Sequence, residues 1–397
     1  MMDNIIRMSS KATVKMCVMT TIPFTMRVFL VDQLVFLSQN GFEITLICDY
    51  DPEFARDCPQ ELMYHPVHLE RNVGPISTLK AFFKIWSFFR KTDFDIVQYC
   101  TPKAALLGSV AGAMTRIPVR LYCQWGIRFV GFTGPMRCMF KLLEKLCCYC
   151  STDIAPDSFG NLRFAIKQGL YPPDKGTVVY NGSANGVDMT RFDPEKRIEF
   201  RKEIRSELNL PDDGFVFGYL GRITRDKGIN ELVQAFIEMA ENDPDIYLLI
   251  VGPLEGDTLS QETRDYLNTF PRIVQLGHQN QPEKYLAAMD VMVLPSYREG
   301  FGQVLIEAQA IGVPVISSDI SGPREAILHE KTGLLFSVHD YKAMYLALKR
   351  LRESPETIQE YRKNGIDFVR EKFEQRNFWQ KMLEHRQTLL RKRKLLS

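Results

Sequence analysis

Three features are scarce in this sequence, and each scarcity excludes a class of protein. The 397 residues include 50 basic and 48 acidic side chains, a formal charge of +2, so no global field favours nucleic acid as a partner. The first apolar run, residues 14–19, is too short for a signal-peptide core or a membrane span. No cysteine follows residue 150. We therefore expect a cytoplasmic protein with free thiols.

One cysteine cluster, Cys147, Cys148 and Cys150, raises the question of zinc. The cluster lacks a second pair of ligands at zinc-finger spacing, and it continues a helical pattern that begins at Met136. Buried or half-buried thiols on a helix are the favoured interpretation. The tripeptide Asp-Tyr-Asp at residues 49–51 has the form of a metal-binding motif, but aspartates are common in turns, and we expect no metal site.

Short apolar runs alternate with helical patterns along the chain, which is typical of parallel sheets covered by helices on both faces. The first helix is predicted over residues 27–40. The predicted strands are residues 14–19, 43–48, 96–98, 119–123, 153–155 and 177–180, then residues 215–220, 247–251, 273–276, 291–294, 314–317 and 333–336. We predict an α/β protein of two Rossmann-like, doubly wound domains that face each other across a cleft, residues 1–194 and 195–373.

The first strand of the second domain leads into a loop that combines glycines with cations, two of which stand five positions apart. Gly221 and Arg222 begin the loop, Lys227 and Gly228 end it, and a helix follows from about Asn230. Arginine offers a fork of donors and lysine a mobile point charge, so this pair suits a diphosphate. Basic residues in surface loops are usually only solvated, so the loop alone is weak support for a phosphate site.

A second motif follows the fourth strand of that domain. The turn Gly300-Phe301-Gly302 opens a helix whose free amides can face a phosphate. Glu299 precedes the turn and Glu307 lies within the helix, where carboxylates can accept hydrogen bonds from sugar and ribose hydroxyls. Either glutamate alone could instead balance the helix dipole or be solvated. The two together, with the upstream cations, favour a nucleotide-sugar site.

These motifs resemble those of the family 4 glycosyltransferases, retaining enzymes of the two-domain GT-B fold. The resemblance covers almost the whole chain and rests on the Gly-Arg...Lys-Gly loop at 221–228, the Glu-x7-Glu element at 299–307, Ala-Ile-Gly-Val-Pro-Val-Ile at 310–316, and Gly-Pro-Arg-Glu...Thr-Gly-Leu-Leu-Phe at 322–336. It implies an acceptor-binding first domain, a nucleotide-sugar-binding second domain, and a C-terminal helix, residues 374–397, that returns to the first. The first half looks like the subgroup that builds bacterial capsule, O-antigen or lipid-linked oligosaccharide.

The resemblance also implies roles for individual residues. Arg222 and Lys227 would hold the donor diphosphate and neutralise the leaving group, while Glu299 would meet the donor sugar and Glu307 the ribose. The other residues of the expected donor site are Gly221, His278, Gly300, Phe301 and Gly302. The cations and helix amides would take the place of a metal ion, so no cofactor is expected beyond the nucleoside-diphosphate sugar, most simply a UDP-sugar. The acceptor would be a saccharide or a polyprenyl-diphosphate-linked saccharide.

The acceptor side departs from the family pattern. Many family members carry a glycine-rich loop after the first strand and a histidine after the fourth, but here the first loop contains Thr21, and the second position reads Gln124-Trp125-Gly126-Ile127-Arg128. We expect Trp125 to stack on a sugar and Gln124 or Arg128 to make polar contacts. A purely structural tryptophan is the alternative.

Two segments have the composition of membrane-surface helices. Residues 79–91 combine five aromatic side chains with basic ends, and residues 127–145 are again basic and aromatic. A polyprenyl-linked acceptor would bring the enzyme to the inner face of the cytoplasmic membrane, as a peripheral protein. The alternative is that the first segment only packs on the sheet. The basic residues 391–394 would add to the attraction or be solvated.

Two other functions fit the same architecture. A sugar-nucleotide epimerase or a phosphorylase would share the two domains, but the paired glutamates and the cation loop match the transferases better. A non-catalytic subunit would keep the fold as a nucleotide-sugar-binding scaffold. The presence of all four charged donor-site residues weighs against a scaffold.

Overall fold

A computed structural model of the protein describes residues 13–69, 74–256 and 258–396. The chain divides into two compact units, near the boundaries expected after residues 194 and 373. Unit 1 comprises residues 1–185 and 377–397, and unit 2 comprises residues 186–376. Each unit contains a six-stranded parallel sheet, which confirms the predicted α/β class with two doubly wound sheets.

Unit 1 alternates strands and helices. Its strands are β1 (Val14–Met19), β2 (Phe42–Ile47), β3 (Leu62–Tyr64), β4 (Ile96–Tyr99), β5 (Val119–Gln124) and β6 (Asp153–Pro156). Its helices are α1 (Pro23–Phe29), α2 (Val31–Ser38), α3 (Pro52–Asp57), α4 (Pro75–Lys91), α5 (Pro102–Met114), α6 (Gly134–Cys150) and α7 (Phe159–Lys167). The strand order is β3-β2-β1-β4-β5-β6. Helices cover both faces, so most strand residues are buried and the strands read as apolar runs.

Unit 2 repeats this design. Its strands are β7 (Phe215–Leu220), β8 (Ile246–Val251), β9 (Ile273–Leu276), β10 (Val291–Leu294), β11 (Val315–Ser318) and β12 (Gly333–Phe336), in the order β12-β11-β10-β7-β8-β9. Its helices are α8 (Arg197–Glu207), α9 (Ile229–Ala240), α10 (Gln261–Thr269), α11 (Pro282–Ala288), α12 (Gln303–Ala310), α13 (Pro323–Ala326), α14 (Tyr341–Arg352) and α15 (Pro355–Lys372). If the strands of unit 2 are numbered from 1 and its sheet is read from the opposite edge, its strand order is the same as that of unit 1.

In both sheets the direction of winding reverses once. Strand β1 lies between β2 and β4, and β7 lies in the same way between β8 and β10. The loops that leave the carboxyl ends of β1 and β4 therefore run to opposite faces of the sheet, and so do those of β7 and β10. This topological switch point is where open α/β sheets bind their ligands.

The predicted return of the C-terminal helix is confirmed. Helix α16 (Gln375–Lys392) buries Phe378 and Trp379 in the apolar core of unit 1. The ring of Trp379 lies 5.7 Å from that of Phe36, and its Nε1 donates a hydrogen bond to Asn185 Oδ1 at 2.8 Å. Both aromatic residues are packing residues, as expected.

Three details of the predicted secondary structure were wrong. Residues 177–180 form no strand, because only the neighbouring Gly176 bridges to Ile154 of β6. The edge strand β3 was not predicted. The helix expected over residues 27–40 is two helices, since Leu30, at φ −123° and ψ −38°, departs from helical geometry between α1 and α2.

Candidate donor and acceptor sites

The loop after β7 is shaped by a short 3₁₀ turn, Arg225–Lys227. Thr224 Oγ1 donates a hydrogen bond to Asp226 Oδ1 at 2.6 Å, which braces the turn. Gly228 ends it at φ 72° and opens α9. A Cβ atom on Gly228 would lie 2.1 Å from the carbonyl oxygen of Pro295, so only glycine allows this loop to meet the loop after β10.

Hydrogen bonds and an ion pair tie the two loops together around Asp226. The backbone N–H of Tyr297 donates to the carbonyl oxygen of Asp226 at 2.9 Å. Arg298 Nη2 lies 3.0 Å from Asp226 Oδ2. The loops after β7 and β10 are thereby held in one arrangement at the switch point of unit 2.

The central contact of the site joins two residues predicted to be catalytic. Lys227 Nζ lies 2.6 Å from Glu299 Oε1, although the residues are 72 positions apart. Ser296 Oγ donates to the same carboxylate oxygen at 2.7 Å. Only 15% of the Lys227 side chain and 14% of the Glu299 side chain are exposed, so the pair is largely shielded from water. The predicted proximity of these motifs is therefore present in the structure.

Arg222 has a different partner. Its Nη1 lies 2.8 Å from Glu255 Oε2, in the loop after β8, and both side chains are well exposed. Its carbonyl oxygen accepts a hydrogen bond from Tyr219 at 2.7 Å, which fixes the main chain at the start of the loop, directly after Gly221. Exposed ion pairs contribute little to stability. The two cations of the predicted diphosphate site are thus each paired with a different carboxylate, Arg222 with Glu255 and Lys227 with Glu299.

The turn that opens α12 uses left-handed backbone. Gly302 has φ 90° and ψ 53° and precedes the first residue of the helix, and Gly300 lies two residues earlier. The ring of Phe301, expected to line the donor site, is buried in the core of unit 2, 5.4 Å from the ring of Phe373. Because its ring is buried, Phe301 can meet a donor only through its main chain, and its place in the donor site stays a prediction.

Glu307 lies half-buried on α12, beyond its first turn. Burial raises the pKa of this carboxyl to about 7, while a hydrogen bond from Gln303 and the charge of Arg191 lower it, and Glu283 raises it. Arg191 is itself paired with Glu283, Nε to Oε2, at 2.8 Å. Glu307 is consequently poised between its neutral and ionised forms near neutral pH.

His278 occupies the loop after the edge strand β9. The residue is exposed, and its strand is separated from β7 by β8. Its neighbour Gln279 accepts a hydrogen bond from Tyr285 at 2.9 Å, which braces the loop. His278 therefore lies at the carboxyl edge of the sheet, on the β8 side of the switch point.

The switch point of unit 1 carries two threonines. Both the backbone N–H and the Oγ1 of Thr21 lie within hydrogen-bond distance of Thr101 Oγ1, at 2.9 Å and 2.7 Å. Thr21 follows β1 and Thr101 follows β4. Thr101 was not predicted, although its place between the end of β4 and Pro102 of α5 would have indicated it.

Gln124, predicted on the acceptor side, is fully buried. Its Nε2 donates to Glu144 Oε1 at 2.5 Å, and its Oε1 accepts from Tyr171 at 3.1 Å. Tyr122 also donates to Glu144, at 3.1 Å, and burial raises the pKa of that carboxyl. The Gln124 side chain therefore serves packing, and this geometry does not support its expected contact with an acceptor.

Trp125 and Arg128 both contact aromatic rings of unit 1. The half-buried ring of Trp125 lies 5.8 Å from that of Phe29, beside the apolar core, which is the packing role named as the alternative. The exposed Arg128 places its guanidinium carbon 4.5 Å from the centroid of Phe140, a cation–π geometry. Binding of an acceptor by either residue stays a prediction.

Cysteines 147, 148 and 150 lie on α6, two of them buried and one half-buried. Burial raises the pKa of Cys147 and Cys148, which suits inert packing thiols. In the described ranges no three His, Cys, Asp or Glu side chains form a group that could hold a metal ion. None of the helices in those ranges has both the length and the hydrophobicity needed to cross a bilayer.

Two doubly wound units, the second with a shielded cation–carboxylate pair and a helix N-terminus at its switch point, agree with the arrangement expected of a GT-B glycosyltransferase, and comparison with known proteins establishes that class. The family described as "Glycosyl transferases group 1" matches residues 200–368, and "Glycosyl transferase 4-like" matches residues 20–158. The capsular polysaccharide biosynthesis glycosyltransferase CapM of Staphylococcus aureus is 31% identical over 361 residues, which cover 90% of this chain and 93% of that protein. The chain belongs to the group 1, or family 4, glycosyltransferases.

Other known proteins are similar over most of the chain. The UDP-Gal:alpha-D-GlcNAc-diphosphoundecaprenol alpha-1,3-galactosyltransferase of Escherichia coli is 28% identical over 331 residues, covering 80% of this chain and 82% of that protein. The crystal structure of Anabaena HepE in complex with UDP and glucose has a TM-score of 0.77 at 17% identity, covering 94% of this chain and 100% of that chain. This structural similarity confirms the GT-B fold.

Proposed function

We propose that this glycosyltransferase moves a sugar from a UDP-sugar to a saccharide or a polyprenyl-diphosphate-linked saccharide, with retention at the anomeric carbon, during synthesis of a bacterial surface polysaccharide. The observation that carries the donor half is the shielded Lys227–Glu299 pair at the switch point of unit 2. The names of the Staphylococcus aureus and Escherichia coli relatives support the acceptor half.

The donor diphosphate would lie at the N-terminus of α12, where the free amides of the first turn and the helix dipole favour an anion. Lys227 would turn from Glu299 toward a phosphate oxygen. Arg222 would add a second cation, because its exposed pair with Glu255 costs little to break. These positive groups would stabilise the charge that develops on the leaving diphosphate, so the proposal requires no metal ion.

Glu299 would have two functions. Its Oε1 positions Lys227, and its Oε2, which makes no hydrogen bond with any described residue, can accept one from a hydroxyl of the donor sugar. We propose front-face attack, in which the leaving phosphate takes the proton of the acceptor hydroxyl. Glu307 would accept from the ribose, and the main chain around His278 would contact the base.

The place of action would be the inner face of the cytoplasmic membrane, with the enzyme attached as a peripheral protein. A polyprenyl-diphosphate acceptor keeps its lipid in the bilayer, so the enzyme must work at that surface. Such attachment requires no spanning helix.

A donor panel tests the proposal. The purified chain is incubated with UDP- and GDP-sugars and a polyprenyl-diphosphate-linked acceptor, while nucleotide release is measured and the anomeric configuration of the product is read by NMR. We expect release of UDP, a product with the configuration of the donor, and activity that survives EDTA. Absence of turnover with every donor would contradict the proposed sugar transfer. An inverted product would contradict retention, and activity restored only by a divalent ion would contradict a metal-independent reaction.

Glu299→Gln sharpens the donor test, because it keeps the shape of the side chain and removes its charge. We expect kcat to fall about 100-fold, the lower end of the range for the loss of one preorganised electrostatic contact. Glu353→Gln, on the exposed Lys349–Glu353 pair of α14, is the matched control and should leave kcat unchanged. An equal loss in both variants would speak against a special function for Glu299.

A further inference from the structure

The outer side of unit 1 presents two apolar stripes at helical spacing. Helices α4 and α6 pack on opposite sides of α5, over one face of the sheet. The exposed apolar side chains of α4 are Ile76, Leu79 and Phe83, and those of α6 include Met139, Leu142 and Leu146. Positions three and four residues apart lie on one side of a helix, so each set forms a stripe. We call residues 75–91 and 134–150 the α4–α6 face.

Packing against the sheet does not account for these stripes. The inner side of α4 buries Ala81, Ile85 and Phe89, which satisfies the expected packing role of this aromatic helix. Its outer side, where a surface helix is normally polar, nevertheless carries Ile76, which is 72% exposed. The α4 helix is therefore apolar on two opposite sides, and only one of them faces the protein.

The charge on this side of unit 1 has one sign. Helices α4, α5 and α6 carry eight basic residues, Lys80, Lys84, Arg90, Lys91, Lys103, Arg137, Lys141 and Lys145. Their one acidic residue, Glu144, is buried against Gln124 and Tyr122 and does not reach the surface. Within the described ranges no carboxylate pairs with Lys80, Lys84 or Lys145. Apolar stripes flanked by unpaired lysines are typical of helices that lie in a membrane interface.

We propose that the α4–α6 face docks on an anionic lipid bilayer, with its apolar stripes in the boundary between headgroups and acyl chains and its lysines against lipid phosphates. This inference rests on the proposed function, because docking would bring unit 1 to a lipid-linked acceptor. A second copy of the chain fits the face poorly, because two such faces would oppose their cations with no exposed carboxylate on these helices to pair with them.

Vesicle flotation of the full chain tests the proposal without any sugar nucleotide. One set of vesicles is pure phosphatidylcholine, and the other contains phosphatidylglycerol as well. We expect the protein to float with the anionic vesicles only and to be released by high salt, which screens the lysine–phosphate attraction. Equal binding to both sets, or to neither, would overturn the proposal.

Two variants separate the apolar and the basic contributions. Leu142→Glu with Leu146→Glu should weaken binding to the anionic vesicles at least about tenfold, because two apolar anchors are lost. Lys80→Gln, Lys84→Gln and Lys145→Gln together should weaken it on the order of 100-fold. The matched control is Ile198→Glu with Leu346→Glu, two exposed apolar positions of unit 2, which should bind like the unaltered protein. An equal loss in the control would overturn the assignment of the face.

Two further measurements distinguish a loss of membrane docking from a loss of folding or of activity. The Tm of each variant should stay within a few degrees, since all the altered side chains are exposed or at the surface. Nucleotide release with detergent-solubilised acceptor should be retained in every variant, so a failure of the proposed reaction and a failure of docking give different results. Sedimentation that shows a dimer abolished by Leu142→Glu would instead assign the face to a second copy.

Discussion

The two units share one sheet topology and differ where that topology opens. In unit 2 the loops after β7 and β10 meet through the Lys227–Glu299 ion pair, whereas in unit 1 the loops after β1 and β4 meet through the hydroxyls of Thr21 and Thr101. One switch point is charged and the other is neutral. The same framework thus carries different chemistry because the residues at the ends of its strands differ.

The surfaces differ as well. Among the described residues, fifteen large apolar side chains are exposed in unit 1 and four in unit 2. All nine cysteines also belong to unit 1. The contrast agrees with a charged donor site in unit 2 and a lipid-facing, acceptor-side unit 1, and it can be tested from both sides.

The largest expected effect comes from exchanging the central side chain of each switch point. Lys227→Met should lower kcat/KM for the donor about 100- to 1000-fold, because a preorganised cation is lost from the leaving-group site. Thr21→Val removes a neutral hydrogen bond worth about 1 kcal/mol and should raise only the KM for the acceptor, roughly five- to tenfold. Steady-state nucleotide release at varied donor and acceptor concentrations measures both. A rise in the donor KM of Thr21→Val would show that the switch point of unit 1 also affects the donor, which contradicts the proposed difference between the two units.

A smaller effect should follow from Gly228→Ala, which tests the close approach of the two loops in unit 2. The new Cβ would overlap the carbonyl oxygen of Pro295 in left-handed backbone, so unfolding should become easier by about 2 to 3 kcal/mol. Gly134→Ala in unit 1 is the matched control, since Gly134 has φ 57° with open space around it, and should cost about 1 kcal/mol. Urea titrations compare the two. Equal costs would mean that backbone conformation alone sets the penalty and that the loop contact is unimportant.

The smallest expected effect concerns Glu307 and depends on pH. Because its pKa is raised from 4.5 to about 7, the folded protein holds an extra proton, and stability should fall as pH rises across that interval. Glu307→Gln removes this loss, so the variant should be more stable than the native protein by about 1 to 3 kcal/mol at pH 8 and nearly equal to it at pH 4. Donor affinity should rise through pH 7 in the native protein only, because an ionised carboxylate accepts both ribose hydroxyls.

Urea unfolding at both pH values and calorimetric titration with a UDP-sugar measure these changes. Glu353→Gln, at an exposed position directly after α14, serves as the control and should show neither change. A native donor affinity that is flat between pH 6 and pH 8 would show that Glu307 does not contact the ribose.

The strands were largely predictable because both faces of each sheet are covered. β7 and β10 are apolar runs between polar loops, and their predicted bounds agree with the observed ones. β3 escaped prediction because three residues at a sheet edge, one of them the exposed Met63, show no pattern. Residues 177–180 have strand-like composition, but no ladder continues along them beyond the single bridge at Gly176, and strand pairing is a property of the whole fold.

The donor site was predictable only in part, for a related reason. Lys227 and Glu299 each stand at a fixed offset from a strand end, and the topology brings those ends together. The pairing of Arg222 with Glu255 and the burial of Gln124 against Glu144 depend on side-chain packing, which local spacing does not encode. The inward direction of the Phe301 ring is also a matter of packing, since it lies against Phe373 in the core of unit 2.

The pairing of Arg222 and Lys227 with carboxylates has a kinetic consequence. With Lys227 held by Glu299 and Arg222 by Glu255, the charge of each of these two cations is balanced by a carboxylate. An incoming nucleotide sugar would then meet little long-range attraction from them, and its capture would be governed by diffusion and orientation. Phosphate oxygens would compete with the two resident carboxylates at contact, so these two side chains should add little to any dependence of the encounter rate on ionic strength.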